Sequence, residues 1–233
     1  WVPAGCFQMG QTEKEKQYLI KKVGQERYNK GHRDELPRHE VCVDGFWMGK
    51  TEVTQGQWKA IMGSNPSYFK KGDRYPVEQV SWDDCQVFIK KLNSRSGRRF
   101  GLPTEAQWEY AARGGVAGQL YSGSSSVDAV AWYYSNSGGH TREVGLKQAN
   151  GFGIHDMSGN VWEWCEDVYD KKAYSRHARN NPVITSGSSY RVYRGGSWSD
   201  KPGRVRSANR RGRSADSAYR ALGFRLCVVE GKR

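Results

Sequence analysis

A chain of 233 residues can bury one sizeable core, and its 36% hydrophobic content leans on aromatics: nine Trp, thirteen Tyr and seven Phe. The formal net charge of +13 points to acidic partners, but no helix-turn-helix, zinc-finger or RNA-recognition pattern accompanies it, so no nucleic acid is expected. Five cysteines without a CxxC spacing argue against zinc, and no apolar run approaches the roughly 20 residues that cross a bilayer.

Residues 2–9 read as a first strand. Residues 11–40 are rich in Lys and Glu, carry no apolar stripe and read as a long surface excursion. Residues 41–48 return as a strand. Cys6 and Cys42 sit in two neighbouring strand-like segments, GCFQMG and HEVCVDGFWMG, so a Cys6–Cys42 disulfide is expected, which favours an oxidising compartment. A helix follows in TEVTQGQWKAIMG, where Thr54 and Gln57 make a capping-box signature, Trp58, Ile61 and Met62 share a face, and Gly63 closes the end. SWDDCQVFIKKLNSRSG repeats that logic from Ser81 and Asp84, with Cys85, Phe88, Ile89 and Leu92 on one stripe; Cys85 reads as a buried structural thiol. Thr104 and Gln107 open a third helix in LPTEAQWEYAARGG.

Residues 115–151 are Gly-, Ser- and Tyr-rich and irregular. In GFGIHDMSGNVWEWCEDVYD, Val161, Glu163 and Cys165 alternate with Trp162 and Trp164, a strand with one aromatic face; His155 beside Asp156 reads as a satisfied structural pair. A polar loop over 171–189 leads to the closing strands. Between GGSW and LGFRL lies a long segment of Arg, Ser, Asp, Gly, Ala and Tyr without aliphatic periodicity. From Arg191 to Arg225 there are nine arginines and one lysine against Asp200 and Asp216. A charge run is ordinarily a solvated face. Here Tyr219 and Trp198 add amphipathic anchors, and the segment reads as a displayed binding surface.

The motifs PAGCFQMG, EVTQGQW, PVEQVSWDD, GLPTEAQWEYAARGG, GFGIHDMSGNVWEW, RGGSW and LGFRL together resemble the formylglycine-generating-enzyme (sulfatase-modifying factor) domain family, in its order and over nearly the whole chain. The resemblance implies an α+β, C-type-lectin-like fold in a single domain over 1–233. It also implies a test of activity. The family's enzymes oxidise a substrate cysteine through a copper(I)-binding cysteine pair shortly after GGS[WY], whereas Trp198 to Arg204 hold no cysteine here, and neither Ser199 nor Asp200 replaces a thiolate. No enzyme activity and no copper are therefore expected; the alternative is a formylglycine-generating-type oxidase or a divergent enzyme of the same family. No cofactor is required. SGNVWEW resembles a family calcium site, which makes Asn160 and Glu163 candidate ligands of a structural ion, while Asn136 would belong to a second site whose Asp partner is missing.

The C-terminal stretch further resembles the variable region of retroelement-diversified proteins, in which template asparagine codons are rewritten. Ser199, Asp200, Arg204, Arg211, Arg213, Ser217, Tyr219, Arg220 and Ala221 fit such rewriting, and Lys201 does not. With Trp198, these are the expected ligand-binding residues of a segment at about 199–221. The resemblance implies a non-enzymatic, receptor- or adhesin-like binder of a protein or other macromolecule with an acidic surface. Its expected location is exported, at the cell surface or as a periplasmic lipoprotein, with membrane contact only through a lipid anchor outside this chain.

Overall fold

Every helix of eight residues or more begins on a Thr or Ser that accepts the N–H of the third helical residue, whose own side chain accepts the capping residue's N–H. In the computed structural model, which describes residues 1–228, these are α1 (Glu13–Val23) from Thr12, α3 (Gln55–Met62) from Thr54, α4 (Trp82–Ser96) from Ser81 and α5 (Glu105–Arg113) from Thr104. Gly63, Gly97 and Gly114 close α3, α4 and α5 in the left-handed conformation. Among the described residues, the shorter α2 (Gln25–Gly31) and α6 (Val127–Val130) complete the α-helices.

Among the described residues the strands form three small sheets. β1 (Gly5–Met9) pairs antiparallel with β2 (His39–Val43), placing Cys6 directly opposite Cys42, and the two form a disulfide. The expected strand over 41–48 is two elements, because β3 (Trp47–Met48) leaves β2 for another sheet, where β9 (Cys227–Val228) lies between it and β4 (Phe100–Gly101). The third sheet runs β7 (Arg210–Ser214), β6 (Tyr190–Arg194), β5 (Trp162–Val168), β8 (Leu222–Gly223), antiparallel except for the parallel β5–β8 pair.

Period-two alternation in that sheet separates the two main cores. Cys165 and Val192 face a cluster built on Trp108, Ala111, Met157 and Tyr174. Trp162, Trp164 and Leu222 face a second cluster with Trp58, Phe88 and Phe224, in which Trp58 stacks on Phe88 at 5.1 Å. The β5 strand thus carries the expected single aromatic face, Trp162 and Trp164, and is buried on both faces.

Residues 11–40 depart from the sequence-based expectation of a surface excursion. They form α1, α2 and a 3₁₀ turn at Arg33–Glu35, and Gln11, Glu15, Leu19, Tyr28, His32, Asp34 and Glu35 are buried. Polar side chains seat this unit. Tyr28 Oη donates to Gln11 Oε1 (2.7 Å), Gln11 Nε2 donates to Glu35 Oε2 (2.7 Å), and Glu35 receives both terminal nitrogens of Arg206 at 2.9 and 2.7 Å. A scan for apolar stripes passes over a segment whose inward face is largely polar.

Candidate ligand-binding site

Gly195 and Gly196, at φ of +95° and +75°, turn the chain out of β6 into residues 197–200. A Cβ on Gly196 would lie 2.6 Å from a Val205 methyl and 2.8 Å from the Arg204 carbonyl oxygen, so the turn requires glycine for space as well. Asp200 then locks the loop. Its Oδ2 accepts from Ser197 Oγ (2.6 Å), Ser197 N (3.1 Å) and Trp162 Nε1 (2.8 Å), and its Oδ1 accepts from Arg204 (3.3 Å). Trp198 turns inward and donates from Nε1 to the Arg220 carbonyl at 3.1 Å. Trp198, Asp200 and Ala221, only 7%, 8% and 2% exposed, therefore build the framework.

The arginine run divides by the same inward and outward logic. Arg194, Arg206, Arg210 and Arg225 are fully buried. Arg210 forks onto Glu105 with two 2.6 Å bonds, and Arg225 forks onto Glu163 likewise. Arg194 reaches Glu109 at 2.5 Å and Glu105 at 3.2 Å, and Arg206 takes Glu35. Burial pushes the Glu105 carboxyl up, but the adjacent guanidiniums, Arg210 foremost, outweigh it and hold it at about 2; Arg206 and His32 do the same for Glu35, also at about 2.

Arg211 and Arg213 take the opposite parity on β7. Gly212 between them lies against the Tyr169 ring, where a Cβ would meet ring atoms at 2.2 Å. Arg211 pairs in register with Tyr193. On this outward face Arg204, Arg211, Arg213, Tyr193, Tyr219 and Ser199 surround a hollow of about 380 Å³, with Trp162, Ser197 and Asp200 at its base. Arg213 lies over the Tyr219 ring at 4.4 Å. Burial raises the Tyr219 phenol, so it stays protonated and can donate. Arg211 also lines two neighbouring hollows, of about 880 and 530 Å³, both bordered by α2.

Six of the ten expected ligand-binding residues thus meet around one hollow: Ser199, Asp200, Arg204, Arg211, Arg213 and Tyr219. Trp198 and Ala221 are interior. Ser217 sits half-buried in the turn after β7, and the exposed Arg220 stands over Tyr68 and Trp198 at 5.7 and 5.5 Å, outside the hollow. Sequence reasoning missed Tyr193 and the α1–α2 residues beside Arg211. Thr12 and Glu15 carry the same capping-box signature as the three expected helices, and that signal was sufficient to find α1.

Asn160 and Glu163 are engaged with protein partners. Asn160, at φ +60°, accepts the Arg142 N–H (3.0 Å) and donates to the Arg142 carbonyl (3.2 Å). Glu163 accepts from Trp108 Nε1 at 2.7 Å besides the Arg225 fork, so a guanidinium already holds both oxygens a cation would need. As folded, this pair does not fit calcium. Unbonded buried carboxylate oxygens lie elsewhere, on Glu15, Asp34 and Glu78 and on the neighbouring Glu52 and Asp156, and the affinity of the last two for a proton is raised by burial first, and for Glu52 by the Asp156 charge next. His155 Nδ1 faces the Lys147 carbonyl oxygen (2.7 Å), while Asp156 accepts the Gly145 N–H (2.6 Å). Asn136 closes its own turn on Tyr133 N–H and the Ala131 carbonyl. Copper(I) needs thiolates. Cys85, Cys165 and Cys227 are buried, and burial pushes all three thiols up, Cys227 to about 12. None of them lines the hollow.

This architecture has close counterparts. The chain belongs to the sulfatase-modifying factor enzyme 1-like domain family, whose model matches residues 1–230. Its fold is α+β and C-type-lectin-like, of the formylglycine-generating-enzyme type. It is similar to Treponema denticola variable protein 1, with a TM-score of 0.83 and 29% identity over 97% of this chain and 93% of that one. Among curated relatives it is 34% identical to the chaperone protein LppX of Paenibacillus barcinonensis, covering 68% of this chain and 71% of that protein. It is 33% identical to the formylglycine-generating enzyme of Streptomyces coelicolor, covering 65% of this chain and 52% of the enzyme.

Proposed function

We propose that this protein is a non-enzymatic binding protein that recognises a macromolecular ligand with its outward C-terminal surface. One observation carries the reading. Where the family's oxidases need a cysteine pair after GGS[WY], this chain places Ser199, Arg204, Arg211, Arg213 and Tyr219 around an open hollow, on a frame locked by Asp200. Arginine supplies charge-assisted bonds and tyrosine supplies stiff contact area, a combination suited to binding. The likeness to a variable protein supports diversification of residues 199–221. The Cys6–Cys42 disulfide supports an exported location, at the cell surface or in the periplasm. No helix among the described residues is long and apolar enough to cross a membrane. Any membrane attachment is proposed to run through a lipid anchor outside this chain.

Two experiments test the reading. The protein, incubated with copper(I), oxygen and a cysteine-bearing sulfatase peptide, should leave the cysteine mass unchanged; conversion to the aldehyde would establish the oxidase instead. Sequencing the segment that encodes 199–221 across the source population should reveal differences clustered at adenine positions of a nearby template copy. A uniform segment without such a copy would remove diversification and leave a fixed binding module.

A further inference from the structure

We infer that the groove between α1–α2 and residues 199–204 holds an acidic, apolar-bearing peptide segment of a partner protein. The inference rests on the binding reading above and extends its surface to helices outside residues 199–221. The groove, of about 880 Å³, has an apolar lining from Tyr18, Leu19, Val23 and Pro202. Lys22, Arg27 and Lys30 stand along the helical wall, Lys201 and Arg204 along the loop wall, and Arg211 at the junction with the sheet-face hollow.

Four of the six cations are uncompensated. Lys30 pairs with Glu26 at 2.6 Å and Arg204 with Asp200 at 3.3 Å, but Lys22, Arg27, Lys201 and Arg211 have no carboxylate within ion-pair distance among the described residues. Such a surface attracts acidic chains over a Debye length and is selective by sign.

The walls are held at a fixed separation. Buried Arg206 donates Nε to the Gly203 carbonyl of the loop wall (2.8 Å) and both terminal nitrogens to Glu35 at the foot of the helical wall. Leu19 fills the space beneath Gly203, 3.3 Å from where a Cβ there would lie. The groove is therefore formed before a ligand arrives, which lowers the ordering cost of binding.

Its mixed lining selects among anions. A sulfated or phosphorylated chain is charged along its length and would leave the apolar floor unfilled, or desolvate charge against it. A peptide that alternates carboxylates with leucine-like side chains sets the first on the rim and the second on the floor.

The test uses the full chain and fluorescence anisotropy of a short labelled peptide of Glu and Leu, with a Gln and Leu peptide, heparin and polyphosphate as comparators. The Glu–Leu peptide is expected to bind, weaken with added salt, and lose roughly tenfold in affinity with Lys22→Glu plus Arg27→Glu in a protein whose circular dichroism shows that it is still folded. Equal binding of the Gln–Leu peptide, no binding of the Glu–Leu peptide, or insensitivity to the double variant would overturn the inference. So would tighter binding of heparin or polyphosphate through the same residues, which would assign the groove to a polyanion. Loss with Arg213→Ala but not with the helical double variant would sink the groove and leave the sheet-face reading intact. Binding that follows the helical variants in a protein with a uniform 199–221 segment would keep the groove and remove diversification.

Discussion

Arg210 and Arg211 are neighbours in one strand and have opposite fates. Arg210 is buried, forks onto Glu105, and also donates to the carbonyls of Asp170 (2.9 Å) and Asp34 (3.3 Å). Arg211 points to the other face, beside α2 and Tyr193, and makes no ion pair or side-chain hydrogen bond among the described residues. A basic stretch can therefore be two things at once. Its inward members join distant elements through carboxylates, and its outward members are left for something else to neutralise. The net charge of +13 overstates the first group's reach to solvent and understates how concentrated the second is.

The largest effect that would break this comparison comes from the inward set. Arg210→Ala strands Glu105 in the interior, and the expected loss is about 3–5 kcal/mol of unfolding free energy in urea titration. Arg210→Lys should recover only part of it, because a point charge cannot reproduce the fork. A loss below about 1 kcal/mol would mean that the pair is structurally dispensable.

Acid should act through the same pairs. Glu105 and Glu35, held at about 2 against 4.5 for a free Glu, are ionised in the fold where the unfolded chain takes up protons. Their contribution is complete above about pH 4.5 and is lost as pH falls toward 2, on the order of 3 kcal/mol per carboxylate. Asp167 tilts the other way, since burial first and the Glu105 charge next push it to about 7, so its penalty grows between about pH 4 and 7. Urea midpoints against pH should therefore peak on the acid side of neutrality and collapse below pH 4.5. A midpoint that stays level from pH 5 to 2 would show that the arginine pairs do not hold these carboxylates ionised.

Much of the fold is legible locally. Thr54, Ser81 and Thr104 with their third-position partners define three helices, and Cys6 and Cys42 define a strand pair, because each signal lies within a few residues or one facing strand. The inner half of the arginine run is not legible this way. Arg210 and Arg206 find their carboxylates 105 and 171 residues away in sequence. Residues 210–214, RRGRS, carry little strand propensity, so the parity that separates Arg210 from Arg211 and Arg213 has no local signature. The candidate site was legible as a segment, while the allocation of its residues to frame or surface required the sheet. Asp200 is the clearest case: an acidic residue in a display loop, it serves as the loop's internal lock.

A smaller effect tests the outward face. Tyr219→Ala removes the ring beneath Arg213 and one side of the hollow. It should cost about 1 kcal/mol of stability, since the ring is half-buried, and more than about 1 kcal/mol of ligand affinity once a partner is captured. If stability falls and affinity does not, Tyr219 belongs with Trp198 in the frame.

The smallest expected effect is the most discriminating. Arg211→Ala should leave the unfolding free energy within about 0.5 kcal/mol of the parent, because no carboxylate is stranded and no cavity opens. The residual change should be favourable at low ionic strength, where removing one member of a crowded cationic surface relieves repulsion from Arg204, Arg213 and Lys30, and it should vanish as salt screens that repulsion. Thermal midpoints of the two proteins measured along a salt series would read the sign directly. A salt-independent loss above about 1 kcal/mol would mean that Arg211, like Arg210, is a structural tie, and the outward face of β7 would then have no free cation at the point where the three hollows meet.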